Sequence, residues 1–315
     1  MPMEARMDER VQEDLYCFLG HEVTVRSDLP ELAEHLRSVY AQFHLGPEVT
    51  RAAGRARVEG PSGFQVEVKD CLAETSEILF DIGGTIYRPR CKDPYTFDCD
   101  TAGIPDPLSF LQFVVLMELS RRLRDRHLIH AGAVSWKGKG LVLPGPAGTG
   151  KTTLTLALVK RGFKFLSDEV ACFHLKRGIL EPFPRTVNLR HDSPEMIGLS
   201  LKASTSHCMT GPREKVWTVG IEDLLPGSLS DPCVPRFLLF LRGFGEKTRL
   251  EPVAASSAVF ALLKFSFCRL DDPASLLMDF APIVDKMECF NLVMGELDVA
   301  VECVLRLLNG TANAR

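Results

Sequence analysis

The 315-residue sequence carries no strong excess of either charge, no long apolar run, no cysteines paired at metal-ligand spacing and no internal repeat. Each absence removes a class of protein. Thirty-seven basic against 41 acidic side chains leave a net charge of −4 and a pI near 6.1. That is too little positive charge for a broad phosphate-backbone footprint, so nucleic acid is not expected as the main partner. No run of five like charges offers a binding tail. The most apolar stretch, Leu108–Leu119, includes Ser109, Gln112 and Glu118. It is about twelve residues long where a membrane span needs about 20, so it is expected to be a buried helix and no membrane partner is expected. The segment Met1–Arg10 alternates charges without an apolar centre, unlike a secretory signal. The ten cysteines are scattered, with no Cys-x-x-Cys pair. They fit reduced packing residues of a cytoplasmic protein better than a disulfide framework or a zinc site.

Hydrophobic content of 45% with 25% charged residues supplies ample material for a core. The length suggests two domains. The first hundred residues read as a small mixed α/β unit. Leu15–Leu19 and Glu22–Arg26 look like short strands around Gly20. Pro30 opens a helical segment with Leu32, Leu36, Val39, Tyr40 and Phe43 on one face. Phe64–Val68 alternates with period two, and Ile78–Ile82 with Thr85–Tyr87 suggests a hairpin. Residues 88–107, with Pro89, Pro94, Pro105 and Pro107, are the expected linker, which sets the domains at 1–105 and 106–315. A helix is then expected over Asp106–Arg126, its last turn basic. Beyond it, Leu128–Trp136 and Leu141–Leu143 read as strands around the Lys137–Gly140 turn. Helices are expected over Lys151–Arg161, Ser256–Phe265, Pro273–Met287 and Leu297–Leu308, and strands over Phe163–Leu166, Phe237–Leu241 and Phe290–Met294.

The strongest chemical signal is the segment Gly145, Pro146, Ala147, Gly148, Thr149, Gly150, Lys151, Thr152, Thr153. Its glycines let backbone N–H groups turn inward around a phosphate chain, and the helix that follows aims its positive end at the same point. Lys151 has the reach to meet the β- and γ-phosphates of ATP, and the Thr152 hydroxyl is placed to ligate Mg²⁺. An apolar strand before the loop and a helix-compatible stretch after it supply the setting this motif requires.

Asp168 and Glu169 follow one helix and one strand later. In open α/β sheets ligands sit beyond the carboxyl ends of strands, and the strand 163–166 delivers both acids to such an end. An aspartate there is suited either to accept the proton of an incoming hydroxyl or to hold Mg²⁺, with Glu169 as a further candidate ligand. His130, between Ile129 and Ala131, reads first as a packed core residue, with a catalytic role as the alternative. Arg185 and Arg190 read as solvated loop charges, with neutralisation of a phosphate as the alternative.

Together the run Ile129–Val134, the turn Lys137–Gly140, the loop, Lys160–Phe163 and Ser167–Val170 resemble the catalytic domain of HPr kinase/phosphorylase. The likeness is close over residues 127–172 and looser towards the C-terminus. It implies an α/β fold of the phosphoenolpyruvate-carboxykinase-like P-loop type with a mixed sheet, preceded here by the small α/β N-terminal domain. It implies Asp168 as the base that takes the proton from a substrate serine, Glu169 in place of a second aspartate, and His130 near the phosphate in transfer. Ala147 stands where the family usually has serine, and Thr153 where it has glutamate. Glu195–Leu199 keeps part of a downstream family segment without its arginine. These departures resemble the divergent group that includes kinases of peptide serines. The expectation is an ATP- and Mg²⁺-dependent kinase whose partner is a peptide or small protein carrying a serine, possible also as a homo-oligomer. A nucleotide-binding switch without catalysis and a kinase of small alcohols are the alternatives.

Overall fold

The computed structural model describes residues 12–27, 30–45, 64–70, 78–82, 85–87, 90–93, 96–98, 107–190, 193–199, 206–210, 215–267 and 273–310. Contacts divide the chain into two compact units, residues 1–122 and 123–315.

In the first unit, β1 (Gln12–Phe18) and β2 (His21–Ser27) form an antiparallel hairpin, closed by Leu19 and Gly20 at positive φ. Alternation decides which side chains go in. Val23 and Val25 are buried while Glu22 and Arg26 face out. Helix α1 (Pro30–Val39) sets Ala33, Leu36 and Val39 inward, and Tyr40 and Phe43 follow them into the core. Phe18 meets Phe43 at 4.7 Å between ring centroids and Tyr40 edge-on at 5.1 Å. The strands β3 (His44–Leu45), β4 (Phe64–Asp70), β5 (Ile78–Ile82) and β6 (Thr85–Tyr87) extend the sheet in the order β3-β1-β2-β4-β5-β6. The hairpin expected at 78–87 is present.

Two expectations change here. The proline-rich stretch 88–107 also holds a small hairpin, β7 (Arg90–Asp93) with β8 (Thr96–Asp98). The helix expected to run to Arg126 is α2 (Pro107–Arg122) and groups with the first unit, where Gln112 bonds His35 at 2.9 Å. It buries Val115, Leu116 and Leu119. Among the described residues no helix is long and apolar enough to cross a membrane.

The second unit is built on β9 (Arg126–Trp136), which turns through Lys137 and Gly138 into β10 (Lys139–Pro144). The remaining elements are α3 (Lys151–Lys160), β11 (Lys164–Ser167), β12 (Val170–His174), β13 (Ile179–Glu181), β14 (Val187–Arg190), α4 (Ser193–Ile197), β15 (Ser206–Thr210), β16 (Lys215–Val219), α5 (Ile221–Leu224), β17 (Val234–Phe244), β18 (Arg249–Pro252), α6 (Ala255–Leu263), α7 (Pro273–Val284), β19 (Glu288–Met294) and α8 (Leu297–Leu308). The main sheet has the order β13-β12-β9-β10-β17-β19-β18, with β11 also paired to β9. It is mixed: β10, β17 and β19 are parallel, the other pairings antiparallel.

One face of this sheet packs on α3, α8 and the small sheet β14-β16-β15, the other on α6 and α7. Sandwiching explains the composition of α3. Leu154 through Val159 are all buried, so the helix has no polar face to show. α8 has solvent on one side and keeps a narrower stripe of Ala300, Val301, Val304, Leu307 and Leu308. The described cysteines Cys17, Cys172, Cys233, Cys289 and Cys303 are free. Burial pushes the thiols of Cys233 and Cys289 up to about 11, which suits packing more than reactivity.

Candidate functional site

The site forms where β10 hands over to α3. Gly145 is buried at the strand end, and the crest Pro146, Ala147 and Gly148 is exposed. Thr149 closes the turn, its hydroxyl donating to the Pro146 carbonyl at 2.8 Å. Gly150 caps α3 at φ 84°, a left-handed conformation that costs a glycine nothing. With no side-chain cap at that end, the first N–H groups of α3 remain available to an anion. Lys151 is buried and folds back over its own loop, its ammonium donating to the carbonyls of Gly145 at 2.7 Å and Pro146 at 3.0 Å. Burial lowers its pKa, against the pull of Glu169 and Asp168. Thr153 lies next along α3, half-buried.

The acids arrive by an interruption in the ladder. β11 and β12 run along the same edge of β9, pairing with residues 133–135 and 126–130, and Asp168-Glu169 fills the gap between them. Ser167 shapes the gap, its hydroxyl oxygen accepting the Val170 N–H at 3.0 Å. The Glu169 carbonyl still accepts the Ala131 N–H at 3.0 Å, so the backbone stays registered on β9. Opposite, Gly132 gives α3 its close approach. A Cβ there would stand 2.4 Å from the Thr155 hydroxyl oxygen.

Asp168 is 4% exposed. The Thr152 hydroxyl donates to its Oδ2 at 3.1 Å, whereas its buried Oδ1 has no hydrogen-bond partner. Burial, then the charge of Glu169, push its carboxyl up to about 7, against Arg185 and the Thr152 bond. Glu169 goes the other way. Burial opposes its ionisation, but Arg185, with help from His130, Lys151 and Arg190, holds its carboxyl below the usual range. Its oxygens lie 3.8 Å from His130 Nδ1 and 3.7 Å from Arg185 Nη1. Burial, then Lys151, hold the imidazole of His130 down, so it is neutral at pH 7.

Lys151, Thr152, Asp168, Glu169 and His130 therefore meet in one place. Arg185 joins them and corrects the expectation of a solvated loop charge, because it is 4% exposed and faces Glu169. The only sign of this in the sequence is the apolar company it keeps, Phe183 and Val187. Arg190 is exposed, as expected. The donor set bears on whether a magnesium-bound nucleotide fits. Among the described residues no group of three His, Cys, Asp or Glu side chains could hold a metal alone. Mg²⁺ usually takes one or two protein ligands and completes its shell with phosphate and water, so the Thr152 hydroxyl and the carboxylate oxygen beside it, Asp168 Oδ2, fit it and leave Oδ1 unused. The pair also divides its labour: one carboxyl poised near neutrality, one kept ionised.

No family model matches the sequence. It is 28% identical over 171 residues to the HPr kinase/phosphorylase of Lactobacillus delbrueckii subsp. bulgaricus, covering 51% of this chain and 52% of that protein. It is likewise 28% identical over 193 residues to the HPr kinase/phosphorylase of Aromatoleum aromaticum, covering 57% and 61%. The chain thus spans between half and two thirds of the length of these curated relatives. Among solved structures, the Hpr(Ser) kinase/phosphatase from Coxiella burnetii matches 58% of this chain and 95% of its own, at 11% identity and a TM-score of 0.26, too low to equate the folds.

Proposed function

Starting from the chain's standing as a divergent relative of the HPr kinase/phosphorylases, we propose that it is an ATP- and Mg²⁺-dependent kinase of a serine hydroxyl, carried on a peptide or small protein. The observation that carries the reading is the pairing of the loop with a tuned acid: Thr152 donates to Asp168 Oδ2, and Oδ1 is buried and unused. We assign the second unit to the phosphoenolpyruvate-carboxykinase-like P-loop type, consistent with its mixed sheet and the strand–loop–helix passage from β10 to α3.

The residues divide the work. The N–H groups of α3 and the loop bind the phosphate chain of ATP. Lys151 leaves the carbonyls of Gly145 and Pro146 and places its charge on the β- and γ-phosphates. The Thr152 hydroxyl, with Asp168 Oδ2 beside it, would hold Mg²⁺, which when bound neutralises phosphate charge. Asp168 Oδ1 accepts the proton of the acceptor hydroxyl while the new O–P bond forms and the bond to the β-phosphate oxygen breaks, releasing ADP. In the nucleotide-free site this carboxyl sits near 7, and Mg²⁺ on Oδ2 would favour its ionised form, the one that takes the proton. Arg185 keeps Glu169 ionised beside it and adds positive charge close to the transferred group, while His130 stands neutral near the phosphate in transfer. A peptide serine is preferred over a small alcohol as acceptor because the relatives are HPr kinase/phosphorylases.

The test is transfer of label from γ-labelled ATP with Mg²⁺ in cell extract, comparing wild type with Asp168→Asn. A serine labelled by wild type alone supports the kinase and identifies its acceptor. Tight ATP binding with all label retained in ATP would favour the nucleotide switch instead.

A further inference from the structure

On the other flank of the loop from Asp168 stands an aromatic ring that neither the core nor the transfer chemistry uses. Phe244, the last residue of β17, is 66% exposed. A single exposed phenylalanine needs no explanation by itself. This one is placed by a device in the backbone. Along the β17–β19 pairing Leu241 faces Leu292 and Phe244 faces Met294, so β17 spends three residues where β19 spends two. Gly243, at φ 96°, lies inside the extra step and supplies the left-handed turn it needs. Such a bulge reverses the face on which the next side chain emerges. Without it Phe244 would follow Phe240 and Arg242 to the α6–α7 side. With it, the ring turns to the side of Leu241 and Met294, where the loop lies.

The ring is also in contact with the loop. A Cβ built on Gly150 would stand 3.2 Å from Phe244 Cζ and 2.8 Å from Met294 Cε. The segment behind the ring is pinned twice. The Gly245 N–H donates to the Met294 carbonyl at 2.8 Å, and the Gly295 N–H to the Thr248 hydroxyl oxygen at 3.0 Å. A pinned aromatic face open to solvent at the edge of a phosphate cradle is suited to a flat, apolar partner attached to that phosphate.

The sheet order fixes which end of the nucleotide arrives there. β9 lies on one side of β10 and β17 on the other. Asp168 belongs to the β9 side and reaches α3 through Thr152, whereas Phe244 belongs to the β17 side and reaches it through Gly150. A triphosphate whose last phosphate lies by Asp168 spans the start of α3, and the group on its other end emerges on the opposite flank. We infer that Phe244 is the stacking platform for the purine base of the bound nucleoside triphosphate, and that the bulge at Gly243 exists to aim it. The inference rests on the proposed seating of ATP in the loop and deepens it. It gives this protein a preference for nucleoside triphosphate over bare polyphosphate that the loop alone does not supply.

The experiment is titration calorimetry on the full chain with Mg²⁺, using ATP and inorganic tripolyphosphate as paired probes, on wild type, Phe244→Ala and Phe244→Trp. Base-on-aromatic stacking lost to alanine weakens binding about tenfold. The expected result is that loss for ATP with Phe244→Ala, no change for tripolyphosphate, and recovery of ATP affinity with Phe244→Trp. Equal ATP affinity in wild type and Phe244→Ala would overturn the inference. So would an equal loss for both probes, which would make the ring a prop for the loop. If wild type bound neither probe, the seating of ATP itself would be wrong, and the platform would fall with it. Because the ring is exposed, thermal unfolding of Phe244→Ala close to wild type serves as the check on folding.

Discussion

Replacing Asp168 by Asn removes one charge from a place that disfavours it and keeps the shape. The amide oxygen can still accept from Thr152, so the 3.1 Å bond has a successor. What disappears is the cost of ionising a carboxyl that is 4% exposed beside Glu169. A carboxyl raised on folding binds its proton more tightly in the folded state. It therefore favours folding fully below its unfolded value, and that favour is lost as pH rises through the folded value. The window here runs from the ordinary 3.8 to about 7. At about 1.4 kcal/mol per pH unit the whole difference is about 4 kcal/mol, a ceiling because local water and motion soften buried charges. An increment of at least about 1 kcal/mol should survive, raising the melting temperature by roughly 2–4 °C in a unit of this size. The assay is thermal unfolding of nucleotide-free wild type and Asp168→Asn at pH 5 and pH 8. The variant should be the more stable at pH 8, by a wider margin than at pH 5, while losing phosphoryl transfer. A variant less stable than wild type at pH 8, or a margin independent of pH, would refute the reasoning.

Three further outcomes are expected. Lys151→Ala should lower the transfer rate by at least about 10²–10³, as losing one preorganised donor does, and normal turnover by that variant would remove the loop from the mechanism. The pH profile of kcat/KM should fall below about 7, approaching tenfold per unit, since Asp168 must be ionised in the free enzyme to take a proton; a profile flat from pH 5 to 8 would exclude it as the base. Gly132→Ala should destabilise by about 1–3 kcal/mol through overpacking against Thr155. The Thr155 hydroxyl has no hydrogen-bond partner to lose, so adding Thr155→Ala should restore much of that stability in denaturant unfolding.

The parts of this site that were legible in the sequence are those written in consecutive residues. Strand, loop and helix from Leu141 to Lys160 announce themselves through an apolar run, three glycines and a Lys-Thr pair, and α8 falls at its expected bounds, Leu297–Leu308. β12, β13 and the small sheet β14-β16-β15 were not anticipated. β12 is buried at every position and β13 is three residues long, so neither shows the alternation of a half-exposed strand, and the strands of the small sheet are short runs of four or five residues. Arg185 escapes a reading of the sequence for a related reason. A charge is read as solvated until a partner is known, and its partner, Glu169, lies sixteen positions earlier. Phe244 was hidden by a step in register, since counting by twos along β17 points it to the wrong face. Residues 106–122 show the same limit at the level of the chain. A proline-rich stretch suggested a boundary before α2, whereas its packing joins it to what precedes.

The way Asp168 and Glu169 are housed has a consequence for motion. They sit in a ladder whose two halves are both fastened to β9, with the Glu169 carbonyl still bonded to Ala131. The acidic half of the site is thus a fixed anvil, unable to swing without tearing the sheet. The cationic half is a single tethered side chain, Lys151, held by two carbonyls it can exchange for better acceptors. Readiness for the reaction would then be set by one ammonium group changing partners, a fast local exchange, with the strands beneath it standing still.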